Sequence, residues 1–158
     1  MTVAQLQTFE LATNAAENQD WALASDYLQR LVAQRPNDPR TMARLGWSLQ
    51  KQQMPDRAEE AYRKALALDP STTLASNNLA LLLQEQHRFV EAAEVLRAGV
   101  RQSPENSELH YNLGIICELY LLDLECALEQ YQAYQSVAYE KDEAVEGWIA
   151  DLKRRLAK

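Results

Sequence analysis

PRTMARLGWSLQKQQMPDRAEEAYRKALALDP, residues 39–70, reads as two helices joined by a short turn. In 39–52 the apolar residues Met42, Leu45 and Leu49 fall at spacings of three and then four, the period of one helix face. In 55–68, Ala58, Ala61, Tyr62, Ala65 and Leu66 do the same. Asp38 before Pro39 supplies an N-cap acceptor followed by proline in the first turn, and Pro55 opens the second helix in the same way. Pro70 closes the unit, because proline lacks an N–H and restricts the residue before it.

The rest of the chain repeats this unit on a 34-residue ruler. Pro36, Pro70 and Pro104 form one row. Leu11, Leu45, Leu79 and Leu113 form another, each followed by a small residue: Ala12, Gly46, Ala80 and Gly114. Ala24, Ala58 and Ala92 align, as do Leu28, Tyr62 and Leu96. A period in this range means stacked supersecondary units. Helices are expected over about 3–18, 20–34, 39–52, 55–68, 74–86, 89–102, 107–121 and 123–138, with Asn106 or Ser107 capping the seventh. The small rows let the two axes of a pair approach closely. The Leu and Tyr rows are expected to fill the space between successive pairs. The fourth unit fits the ruler only with one residue inserted near Leu121–Leu124, which sends Ala127 to the small row and Tyr131 to the large one. The closing stretch, KDEAVEGWIADLKRRLAK, places Val145, Trp148, Ile149, Leu152 and Leu156 on one face. Lys153, Arg154, Arg155 and Lys158 crowd its last turns, where cations suit a helix C-terminus. Such a helix covers the end of a stack.

Composition narrows the function. Of 158 residues, 47% are hydrophobic, enough for a sizeable core, but charges break every run well short of the roughly 20 residues of a membrane span. The opening MTVAQLQTFELA lacks the basic and apolar regions of a signal peptide, so a cytoplasmic location and no membrane insertion are expected. The net charge of −7 works against nucleic-acid binding, although residues 39–72 form a basic island with six bases and four acids. Cys117 and Cys126 form no CxxC and lie at no zinc-ligand spacing; they read as small core residues. A redox pair stays open if their helices face each other, with a reducing cytosol against it. There is no HExxH, P-loop or GxGxxG. His87 falls in a turn, His110 faces the stack, and neither has a partner by motif, so no enzymatic activity, cofactor or metal is expected.

The sequence of features (Leu-Gly/Ala, Ala thirteen residues after the Leu, aromatic or Leu four later, Pro eight later) resembles the tetratricopeptide repeat, with residues 39–70 the best unit. The units at 5–38, 73–106 and 107–140 follow with falling fidelity, and 141–157 looks like that family's solvating helix. The resemblance implies one all-α domain over 1–158, a right-handed helical-repeat solenoid of about four helix-turn-helix units with a capping helix. Two features depart from the family pattern. Gln19, Gln53 and His87 stand where it places a turn glycine, so these turns carry strain of roughly 1 kcal/mol or a different shape. Thr8 replaces the usual aromatic of the first unit.

The resemblance also implies an interaction module whose first helices line a concave groove for a peptide or helix of another protein. The groove rows would present Phe9, Arg40, Arg44, Trp47, Lys51, Asn77, Asn78, Leu81, Tyr111, Asn112 and Ile115. Asn78 and Asn112 carry amides that can hold a peptide backbone. Arg40 and Arg44, one turn apart with Lys51 beyond, suit an acidic segment, since guanidinium groups grip carboxylates bidentately. The family's carboxylate clamps place such groups in these rows, but in a different order of units. Trp47, Leu81 and Ile115 form an apolar stripe fit for an amphipathic helix, or pack between helices. An adaptor is the first reading. A cytosolic chaperone for a secretion or pilus component and a self-assembling structural subunit, a homo-oligomer, are the others.

Overall fold

A computed structural model describes residues 1–158. It contains nine α-helices: α1 Val3–Glu17, α2 Trp21–Gln34, α3 Pro39–Lys51, α4 Pro55–Leu68, α5 Thr73–Glu85, α6 Phe89–Gln102, α7 Ser107–Leu119, α8 Leu124–Val137 and α9 Glu143–Leu156. The expected boundaries hold to within two residues throughout. The chain divides into two compact units, Met1–Leu82 and Leu83–Lys158, with the division inside the last turn of α5.

Local chemistry sets the helix ends. The Asp38 carboxylate accepts from the backbone N–H of Arg40 and Thr41. Asn106 is the cap of α7 and accepts from Leu109 N–H; Asp123 caps α8 and Asp142 caps α9. α2, α4 and α6 each stop two residues before Pro36, Pro70 and Pro104, since a residue preceding proline is steered out of the helical region. The four turns within helix pairs each hold one residue in the left-handed region: Gln19, Gln53 and His87 at φ 60°, and Leu122 at φ 54°. In the first three turns a backbone N–H returns to the carbonyl five residues back, as Met54 does to Leu49. The fourth turn is one residue wider: Asp123 N–H reaches the Cys117 carbonyl, six residues back.

In the first unit, α3 packs against α4 and α2 against both α1 and α3. Ala24, Leu28, Ala43, Leu49, Ala58 and Tyr62 are buried there. The Tyr62 ring lies directly over Gly46; a Cβ on that glycine would come 2.7 Å from the ring. The same contact recurs in the second unit, where a Cβ on Gly114 would meet the Tyr131 ring at 2.5 Å. This corrects the sequence reading. The tyrosines fill space inside their own helix pair, because the missing glycine side chain leaves a ring-sized gap there. Each phenol donates a hydrogen bond to the partner helix one turn beyond that glycine, Tyr62 to Gln50 Oε1 at 2.8 Å and Tyr131 to Glu118 Oε2 at 2.9 Å.

In the second unit, α7 packs on α6 and α8, and α9 closes against α8. Val145 and Leu152 are fully buried, while Trp148 sets its ring beside Tyr131 at 5.4 Å. Arg155 reaches back to Glu118 at 3.3 Å. Burial, and then the hydrogen bond to Glu118, push the Tyr131 phenol well above its ordinary pKa. Cys117 and Cys126 are joined as a disulfide, with Cα atoms 5.9 Å apart. The reading of both as unpaired core residues is therefore corrected. Their helices do face each other, because the wider turn brings the first turn of α8 beside the last of α7.

Candidate functional site

Most of the expected ligand-contacting residues lie in the first unit, and three helices assemble them. α3 carries Arg40, Arg44, Trp47 and Lys51 along one side at spacings of four, three and four. α1 brings Phe9 to Arg44, whose guanidinium carbon sits 4.8 Å from the ring centroid. α2 brings Trp21 edge-on to Trp47, with centroids 4.9 Å apart at 73°. Lys51 Nζ lies 6.0 Å above the Trp21 ring. The result is a continuous row of alternating cations and aromatic faces. Each such pair contributes about 0.5–1 kcal/mol at an exposed site. Trp21 was not among the expected residues. Its row on the 34-residue ruler reads Trp21, Pro55 and Phe89, aromatic in two units but broken by proline in the best one, so the row shows no uniform side-chain class.

Arg40 and Arg44 also share a pocket of about 350 Å³ with Asp69, Ser71, Thr73 and Leu74, at the entry to α5. Asp69 is occupied locally: its carboxylate accepts from the Ser71 N–H and hydroxyl, which hold its pKa below the ordinary value. Neither arginine forms an ion pair within the chain; Arg44 has only the Phe9 ring, and Arg40 is exposed. By contrast, Arg63 and Lys64 on α4 are tied to Glu59 and Glu60. The basic island seen in the sequence thus resolves into paired cations on α4 and two uncommitted ones on α3.

Asn78 is half-buried and Leu81 is 40% exposed, so both are accessible in the first unit. Asn77 is only 3% exposed and presents little to a ligand. In the second unit, Asn112 and Ile115 are half-buried. Tyr111 is drawn into an aromatic cluster, 5.4 Å from Tyr134 and 6.1 Å from Trp148 of the closing helix. His110 is buried and bridges Gln130 and the Pro104 carbonyl, each at 2.8 Å, as a structural strut between helices. His87 is exposed at its turn beside Phe89. No helix is long and apolar enough to cross a membrane.

A tetratricopeptide repeat model matches residues 9–71, 43–107 and 77–146. The chain belongs to the tetratricopeptide repeat family. Its proteins mediate protein–protein interaction and are in general non-enzymatic scaffolds. The type IV pilus assembly protein PilF of Pseudomonas aeruginosa is 33% identical over 91 residues, covering 56% of this chain and 36% of that protein. The peroxisomal targeting signal receptor of Kluyveromyces lactis is 36% identical over 90 residues, covering 57% of this chain and 16% of that protein. The chain thus spans about a third or less of the length of these curated relatives. Among solved structures, P. aeruginosa PilF superposes with a TM-score of 0.80 at 26% identity, over 98% of this chain and 69% of that one. MamA of Desulfovibrio magneticus gives 0.76 at 21% identity, over 99% and 88%, a likeness of fold alone.

Proposed function

We propose that this repeat protein is an adaptor that binds a segment of another protein along the α3 face of its first unit. One observation carries the reading: Arg40 and Arg44 line a single pocket while paired with no acid of their own chain. An arginine pair one helical turn apart is suited to carboxylates, and the neighbouring Phe9, Trp47 and Leu81 supply apolar area for the rest of a ligand. Asn78 adds an amide able to hold a peptide backbone. An acidic extended segment or the acidic side of an amphipathic helix is the matching ligand class. Nothing in this arrangement offers a nucleophile or a base aimed at a substrate, so the role proposed is recognition without catalysis.

The test is a fluorescence binding titration against an array of acidic, neutral and basic peptides. Wild-type protein is expected to favour the acidic set, with affinity falling as salt rises. Arg40→Ala with Arg44→Ala should weaken that binding at least tenfold while helicity is unchanged. Equal binding by the double variant would remove the site. Trp47→Ala with Asn78→Ala probes the apolar and amide parts in the same assay. The likeness to PilF supports a second reading, in which the bound segment belongs to a pilus or secretion component shielded before assembly.

A further inference from the structure

The two sulfurs of the Cys117–Cys126 pair stand in different surroundings. Cys117, near the end of α7, has no solvent exposure. Cys126, in the first turn of α8, is half-buried and lines an open pocket of about 480 Å³. α6 supplies Arg97 and Arg101 to this pocket, and the start of α8 supplies Asp123, Glu125 and Glu129. α7 contributes Leu113 to its wall, and α9 contributes nothing. The Arg97 guanidinium lies 3.9 Å from Cys126 Sγ. Glu125, the adjacent residue in the chain, is exposed to solvent, and the Asp123 carboxylate is committed as the helix cap and accepts from Cys126 N–H at 3.0 Å. A thiol at a helix N-terminus beside a guanidinium is held toward its thiolate form, and the thiolate is the species that exchanges.

We propose that Cys126 is a thiol–disulfide exchange site, that a disulfide-bearing oxidant is its reaction partner, and that Cys117 is the resolving sulfur. In the reduced chain, the Cys126 thiolate attacks one sulfur of the oxidant's disulfide from the pocket. That bond breaks, one thiolate leaves, and a mixed disulfide forms at Cys126. The Cys117 thiolate, shielded from the oxidant, then attacks Cys126 Sγ and expels the second thiolate. The two cysteine protons end on the two leaving groups, so the chain loses two electrons and the oxidant gains them. The product locks α7 to α8 across the one turn that is a residue wider than the other three. Formation of the bond therefore belongs to an oxidising compartment, whereas a reducing cytosol would keep both thiols.

The experiment uses oxidised glutathione as the probe on fully reduced protein, read by intact-mass spectrometry. Wild type is expected to close to the intramolecular disulfide with only a transient adduct. Cys117→Ala should accumulate one glutathione, and Cys126→Ala should gain it at least tenfold more slowly. Equal rates in the two variants, or a wild type that never closes, would overturn the assignment. Should either variant fold poorly, a brief iodoacetamide pulse on reduced wild type settles the same point. Peptide mapping is expected to find the label on Cys126 first, and a label on Cys117 first would count against the proposal. Arg97→Ala should slow exchange several-fold at neutral pH and move the rate–pH profile to higher pH. An unmoved profile would remove Arg97 from the mechanism.

Discussion

The Tyr62 ring occupies the space that a side chain on Gly46 would need, 2.7 Å from the position of its Cβ. Glycine is required here by the close approach of the ring, since Gly46 itself has ordinary helical backbone. The rows of the repeat carry the same logic. Ala12 and Ala80 stand in units whose large-row residue is Leu28 or Leu96; Gly46 and Gly114 stand in units whose large-row residue is Tyr62 or Tyr131.

Gly46→Ala is therefore expected to destabilise the first unit by about 1–3 kcal/mol, as overpacking does, despite the better helix propensity of alanine. Adding Tyr62→Leu should recover part of that loss by restoring the Ala–Leu pairing of the other units. Some deficit should remain from the lost Tyr62–Gln50 hydrogen bond, about 1 kcal/mol. Urea denaturation of the two single variants and the double variant measures the coupling; additivity would deny it.

The left-handed residues make the turns a source of stability not yet used. Gln53→Gly should stabilise by up to about 1 kcal/mol, since a side chain at positive φ carries strain of that order, less the added freedom of the unfolded chain. Gln19→Gly should behave alike. A lower melting temperature for either variant would show that the glutamine side chains make up the difference through contacts.

Reduction of Cys117–Cys126 should lower stability by about 2–4 kcal/mol, the range for closing a short loop. The loss should be confined to the second unit. Hydrogen exchange with and without a phosphine reductant reads this directly: amides of α7 and α8 should lose protection, and those of α3 and α4 should not. Uniform loss would mean that the disulfide supports the chain as a whole.

Tyr131 gives a sign-defined pH effect. Its phenol is held neutral in the folded protein, above its ordinary value of 10.0, by burial and then by Glu118. In the unfolded chain it ionises near pH 10. Above that pH the unfolded state binds fewer protons than the folded one, so stability should fall as pH rises through 10; below it the group contributes no slope. Tyr131→Phe should flatten the decline between pH 10 and 11 in thermal scans. An unchanged decline would assign it to other groups.

The expectation drawn from the cysteines shows where sequence reasoning stopped. Nine residues apart with no CxxC, Cys117 and Cys126 read first as core residues, and pairing stayed open only if their helices faced each other. Their meeting depends on the wider turn at Leu122, whose single extra residue was visible in the ruler but whose path was not. The candidate site divides in the same way. Arg40, Arg44, Trp47 and Lys51 could be placed on one face by counting along α3. Trp21, Asp69 and Ser71 could not, because they arrive from other elements through the way α2 and the α5 entry pack.

What could be read along the chain was every helix, the caps at Asp38 and Asn106 and the rank of small and large residues, because a 34-residue period repeats side-chain size at positions that local geometry brings into line. What needed the folded protein was which large residue fills which small gap, which cations find an acid, and which sulfur meets its partner in the open. Those outcomes depend on distances between helices, and such distances are set by the packing of many side chains at once.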